Sequence, residues 1–179
     1  MKVLKIIGLV VLFLVLVAGS FIVYMDYEYE KELAEERQKE DTFIKDNFSP
    51  IIDAYLTAVN SCDVEASQQM FSSKGQEALK QSAELKILYT SVTQASCREL
   101  TLSVKDFGKF HNIKEGVESS VRVKLTAAIK NKSNHADDDI YRKWKFIKEQ
   151  GVWRINSLAG VNFAAQILEE ELGIKADGN

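Results

Sequence analysis

Val121-Arg122-Val123-Lys124-Leu125-Thr126-Ala127-Ala128-Ile129 decides the fold, because apolar residues recur along it at every second position. Side chains alternate between the two faces of a strand, so Val121, Val123, Leu125, Ala127 and Ile129 share one face and Arg122, Lys124 and Thr126 the other. This is a strand with a buried and a wet side, and Val117 extends its apolar series upstream. Leu100, Leu102 and Val104 alternate in the same way. Ile140 to Lys148 and Val152 to Leu158 are joined by Glu149-Gln150-Gly151, where Gly allows a positive φ, and together they predict a hairpin. The result is a mainly antiparallel four-stranded sheet. Lys130 to Asp139, polar and poor in apolar residues, is its predicted exposed loop.

Upstream the period changes to that of a helix. Ser49-Pro50 marks a start, since Pro suits the first helical position and Ser the cap before it. Ile51, Ile52, Tyr55, Leu56 and Val59 then give that helix one apolar face. After the turn Asn60-Ser61-Cys62-Asp63, a short helix is predicted from Val64 to Phe71. A third opens at Ser73, with Gln76 three residues on, and runs to about Thr93 with Leu79, Ala83, Leu88 and Val92 inward. Beyond the hairpin, Asn162 to Leu172 forms an amphipathic segment with Phe163, Ile167, Leu168 and Leu172 on one face. Helices followed by strands give an α+β domain, its helices packed on one face of a sheet.

The amino end has a different character. Lys2 and Lys5 precede an uncharged apolar run from Ile6 to Met25, and Asp26 follows. About twenty apolar residues make a helix of roughly 30 Å, the thickness of a bilayer's hydrocarbon core. The expectation is a single span, with the short amino terminus in the cytoplasm and the remainder outside, as the positive-inside rule requires. A cleaved signal peptide is the rival reading, because Val17-Ala18-Gly19-Ser20 offers small residues for cleavage; Phe21 to Met25 prolongs the run past an ordinary signal. From Asp26 to Asp41 the chain is charged and free of Gly and Pro. Lys31 with Glu35, Glu35 with Lys39 and Arg37 with Asp41 stand four apart, the spacing that supports an exposed helical stalk. The expected organisation is a cytoplasmic tail at 1–5, a transmembrane helix at 6–25, a helical stalk at 26–49, one domain at 50–160 and a C-terminal helix and tail at 161–179. The net charge of −3 arises mainly in the stalk, and nothing resembles the basic footprint of a nucleic-acid binder.

Two stretches carry a family resemblance. Ala54-Tyr55-Leu56-Thr57-Ala58-Val59-Asn60-Ser61-Cys62-Asp63-Val64-Glu65 resembles the first-helix signature of nuclear-transport-factor-2-like domains, whose cone-shaped fold is shared with ketosteroid isomerase. The hairpin from Trp144 to Ser157 is similar to the ending of bacterial members of that superfamily. The resemblance covers Pro50 to Leu158. It implies three helices on a curved sheet, with a ligand pocket inside the cone to which Tyr55, Val59, Leu102, Val123, Leu125, Trp144 and Phe146 would contribute. Two departures stand out: Cys62 occupies a position where the family usually has Gly, and the helix after Gly160 lies beyond the common core.

In the isomerase branch a tyrosine on the first helix stabilises an enolate oxygen while a carboxylate moves the proton. Tyr55 matches the tyrosine, but no Asp or Glu matches the base, so no catalytic residue and no enzyme activity are expected. The two histidines, His111 and His135, have no spaced co-ligands. Asp137-Asp138-Asp139 lacks the ligand spacing and Gly of a calcium loop. No metal or cofactor is therefore expected. Cys62 and Cys97 fall in a segment expected to face an oxidising space, where they either close one disulfide or remain two buried thiols.

The expected function is that of a non-enzymatic scaffold or protein-interaction module in an envelope assembly. It would be held by one span in a bacterial inner membrane, with its domain periplasmic or extracellular. Its order of tail, span and cone resembles the inner-membrane components of type IV secretion systems. Phe163, Ile167 and Leu168 are the candidate surface for a protein partner or for self-association. Binding of a small molecule or lipid in the cone is the alternative, and no nucleic-acid partner is expected.

Overall fold

The computed structural model describes residues 2–114, 117–132, 135–137 and 141–175, without the side chains of 2–16, 18, 112–114, 135 and 137. The chain forms two compact units, Met1–Thr42 and Phe43–Asn179. Its elements in order are α1 (Lys2–Asn47), α2 (Ser49–Asn60), α3 (Val64–Gln69), α4 (Ser73–Gln81), α5 (Ala83–Glu99), β1 (Leu100–Lys114), β2 (Glu118–Ile129), β3 (His135–Asp137), β4 (Arg142–Glu149), β5 (Val152–Ile155) and α6 (Ala159–Leu172).

From Lys2 onward the first unit is helical, as the absence of Gly and Pro after Gly19 favours. Val17 and every residue from Gly19 to Lys31 expose their side chains or backbone to the surroundings. The predicted span at 6–25 falls mostly on side chains outside the described residues. Among the described residues no helix is long and apolar enough to cross a membrane.

The second unit is an α+β domain built on an antiparallel sheet with strand order β1-β2-β4-β5. β3 pairs with β2 at Thr126 to Ala128, on the edge that β4 occupies at Glu118 to Val123. The sheet thus has four lanes, the third shared by β4 and β3, and part of the predicted loop Lys130 to Asp139 is a strand. Residues 133–134 and 138–139 of that loop, and Ile140 at the start of the predicted third strand, lie outside the described ones.

β1 is much longer than its opening alternation indicates. It has 15 residues against 12 in β2, and its register shifts between Val104 and Asp106, Phe107 and Phe110, and Asn112 and Lys114. An extra residue in one strand bends it and increases its twist, and here every extra residue lies in β1, so the sheet curls. The β4–β5 connection is Gln150-Gly151, with φ of 51° and 85°. Positive φ at both positions is what a type I′ hairpin turn requires.

Helix boundaries follow their caps. The side chains of Asp63, Ser72 and Ser82 accept from Ala66, Gly75 and Leu85 N–H groups and start α3, α4 and α5. The predicted single helix from Ser73 to Thr93 is therefore two, broken at Ser82, and the second runs on to Glu99. That break resets the helical phase, leaving Ala83 exposed and burying Tyr89 with Val92. Ser73 is the first residue of α4 rather than its cap; the Glu149 carboxylate accepts from its N–H and hydroxyl at 2.9–3.0 Å.

One core holds the domain together, and it extends at both ends beyond the predicted limits. Ile44 and Phe48, placed by the sequence reading in the stalk, are 3% and 0% exposed, and Phe48 stacks on Phe146 at 4.4 Å between ring centroids. At the other end Val161, Phe163, Ala164, Ile167 and Leu168 of α6 belong to the same core. Gly160 at the start of α6 lets the helix close in: a Cβ there would stand 2.9 Å from the Tyr55 ring and 3.0 Å from that of Trp144.

Candidate functional site

The cone interior implied by the sequence is assembled from α2, β1, β2 and β4. Tyr55 sits on the buried stripe of α2, between the rings of Phe71 and Trp144 at 5.8 and 5.7 Å. Val59 lies one turn further along the same stripe. Leu102, Val123, Leu125, Trp144 and Phe146 come from alternate positions of the strands. All seven candidate residues are at most 3% exposed and lie in one hydrophobic cluster with the α6 side chains. The predicted partner surface is corrected here. Phe163, Ile167 and Leu168 are 1%, 5% and 0% exposed, because α6 turns its apolar face onto the sheet and α5 instead of offering it to a partner.

Tyr55 is the residue with the clearest chemistry. Burial, then the proximity of the Tyr89 hydroxyl, pushes its pKa well above the ordinary tyrosine value. The Tyr89 hydroxyl donates to Ser67 Oγ at 2.7 Å, and Ser67 Oγ donates to the Val64 carbonyl at 2.8 Å. Burial raises the Tyr89 pKa as well, against the opposing hydrogen bonds of Ser67, Tyr55 and Thr93. The chain of hydroxyls ends on a backbone carbonyl, which cannot take up a proton, and no carboxylate figures among the groups acting on Tyr55. Its chemistry is that of a satisfied buried network, which specifies how α2, α3 and α5 meet.

Sequence reasoning picked out Tyr55 but missed Tyr89, Ser67 and Thr93. Tyr89 and Thr93 stand four apart on α5, which marks a shared face, but the phase of that helix is legible only once Ser82 is seen as a cap. Ser67 gives no signal, because a small polar residue in a short helix is ordinarily exposed.

Cys62 and Cys97 form a disulfide, with Cα atoms 5.2 Å apart and a sequence separation of 35. Cys62 has φ of +63°, the left-handed region in which a residue without a Cβ is unstrained. The bridge fastens the turn after α2 to the last turn of α5. In the chain-entropy account, closing a loop of this length stabilises the fold by about 3–4 kcal/mol. Two residues before Cys62, the Asn60 side chain donates to the Leu102 carbonyl and accepts from its N–H, both at 2.8 Å. Asn60 therefore occupies the edge of β1 at that point as a neighbouring strand would.

His111 lies on β1 and His135 on β3, the latter within the stretch expected to be a loop. Among the described residues no cluster of His, Cys, Asp or Glu could hold a metal ion. Asp138 and Asp139 are outside the described residues.

No protein-family model matches this chain, and no curated protein matches it. Similar solved structures include a Mycobacterium tuberculosis protein of unknown function, 14% identical, with a TM-score of 0.43 over 68% of this chain and 70% of that one. Another is an NTF2-like protein with a cystatin-like fold from Novosphingobium aromaticivorans, 15% identical, with a TM-score of 0.37 over 69% of this chain and 82% of that one.

Proposed function

We propose that this chain is a non-enzymatic, membrane-tethered interaction module: an N-terminal span in a bacterial inner membrane, a helical stalk, and an extracytoplasmic α+β domain that engages a protein partner. The observation that carries the tether is the described part of α1 before Asp26. Phe21, Ile22, Val23, Tyr24 and Met25 are 54–69% exposed at five consecutive positions, which on a helix point in all directions. A helix that is apolar all round needs an apolar surrounding on every side, and a bilayer supplies one. Lys2 and Lys5 ahead of the run and the acidic stretch after it favour an orientation with the domain outside, where a disulfide persists.

The reading of the domain as a binder rests on where its chemistry lies. Tyr55 is committed to the core network, while Arg122, Lys143 and Lys145 are exposed on the outside of the sheet. Fractionation of cells expressing the full chain tests the tether. The protein should stay in the membrane pellet after alkaline carbonate extraction and migrate as the unprocessed chain; release, or a mass reduced by the N-terminal segment, would overturn it. Crosslinking in the same membranes should join the protein to a heterologous partner.

A further inference from the structure

The outward face of the sheet carries a basic field that the core does not need. Val121 and Val123 point into the core, so by alternation Ser120, Arg122 and Lys124 point away from it. In register, Arg122 stands directly opposite Lys143, and Ser120 stands between His111 on β1 and Lys145 on β4. Arg122, Lys143, Lys145 and His111 are exposed. Like charges directly opposite one another on adjacent strands destabilise a sheet. Nothing among the described residues relieves this pair with a carboxylate.

Among the described side chains, Asp106 and Glu118 share this part of the face, and neither stands opposite Arg122 or Lys143. Asp106, opposite Lys124, accepts a hydrogen bond from the Tyr141 hydroxyl. Tyr141 lies across Gly108, where a Cβ would come 2.9 Å from the ring, and the Lys124 ammonium stands 5.0 Å from the ring centroid. Glu118 lies at the end of β2, opposite Ile147, away from the Arg122–Lys143 pair. A second, independent feature marks the same place. Ser120 is 0% exposed although it stands on the outward face, and its hydroxyl has no hydrogen-bond partner among the described residues. Such a donor is ordinarily satisfied.

We infer that this face, centred on Arg122, Lys143, Lys145 and Ser120, docks an acidic segment of a protein partner. The inference rests on the interaction-module reading and gives that module its surface. Carboxylates at the spacing of an extended acidic chain meet the cations in successive rows of the sheet and relieve the Arg122–Lys143 repulsion. An oxygen of such a chain beside Ser120 would give its hydroxyl the acceptor it lacks. A second copy of this protein is a poor occupant, because a two-fold contact through this face sets the same cations against each other.

The test uses the full-length protein in phosphatidylcholine nanodiscs, titrated with a fluorescent decaglutamate peptide. Binding should weaken steeply with salt and fall about tenfold or more in Arg122→Glu/Lys143→Glu, since charge reversal at a complementary contact changes association strongly. Arg122→Gln/Lys143→Gln, whose neutral side chains keep the strand intact, should give a smaller loss. Lys74→Glu/Lys80→Glu on α4 is the control and should bind as wild type. Equal losses in the control and sheet-face variants would overturn the assignment. So would binding of phosphatidylglycerol vesicles, but not of the peptide, through Arg122 and Lys143, because the face would then read lipid. If the crosslinked membrane partner persists with Arg122→Glu/Lys143→Glu, this surface is wrong and the module reading stands. If wild type crosslinks to no partner, the module reading falls and the assignment with it.

Discussion

The two faces of the sheet are made by the same strands, residue by residue in alternation, yet they obey different rules. On the inner face Val121, Val123, Leu125, Trp144 and Phe146 are at most 1% exposed, and the rings of Phe48, α2, β4 and β5 meet edge to face or stacked. On the outer face Arg122 and Lys143 oppose each other without a carboxylate among the described residues, and Ser120 holds an unpartnered hydroxyl. The inner face is consistent at every level, from pattern to packing. The outer face carries local conflicts that folding alone does not require, and such conflicts concentrate at functional surfaces.

The contrast is tested most severely by truncating neighbours of opposite orientation. Phe146→Ala removes a ring that is 1% exposed and stacked on Phe48, and should cost about 3–5 kcal/mol of unfolding free energy. Lys145→Ala, one residue away and on the other face, should change stability by no more than about 0.5 kcal/mol. Chemical denaturation of both variants with intact disulfide measures the difference. A comparable loss from the two would mean that the outer face is also structural, which would break the distinction.

How much of this was legible in the sequence differs by face for the same reason. Alternation from Val121 to Ile129 reads directly, because β2 keeps strict period two. β1 loses its signal after Val104: its inward residues are Leu100, Leu102, Val104, Phe107 and Phe110, and each bulge adds one to the interval. Phe163, Ile167 and Leu168 were correctly recognised as one apolar stripe, but a stripe does not say what it covers, and here it covers the sheet. The disulfide was one of two readings that spacing allowed, and proximity in the fold resolved it. The basic outer face could have been read from Arg122, Lys124, Lys143 and Lys145, but only with the β2–β4 register in hand. That register is set by the inward residues that β2 and β4 give to the core, not by the charged residues themselves.

A finer probe of the inner face is its one polar network. Tyr55→Phe deletes the hydroxyl next to that of Tyr89 and should cost about 0.5–1.5 kcal/mol near neutral pH. The same network sets an alkaline limit. Tyrosines of the unfolded chain ionise near pH 10. Burial holds Tyr55 and Tyr89 protonated to higher pH in the folded state. The folded chain then binds more protons than the unfolded one, so stability is fully present below about pH 10 and falls as pH rises through the folded values. Unfolding titrations at pH 8 and pH 10.5 should show the fall in wild type and a shallower one in Tyr55→Phe. An unchanged slope would mean that this hydroxyl is not protected in the way the network implies.

The smallest effect is the most revealing, because its sign is opposite to that of ordinary mutation. Arg122 and Lys143 face each other across β2 and β4, so Arg122→Glu should exchange a repulsion for an attraction and raise stability by about 0.2–1 kcal/mol at low ionic strength. Added salt distinguishes electrostatics from packing: screening should stabilise wild type, where it weakens repulsion, and erode the advantage of Arg122→Glu, where it weakens attraction. Most substitutions destabilise, so a gain here would identify a position at which the native residue is retained at a cost to folding. The stability curves of the two proteins should converge with rising salt. If Arg122→Glu is less stable at every ionic strength, Arg122 contributes to the sheet through its packing against neighbours such as Gly108 and Tyr141, and the outer face obeys the same rules as the inner one.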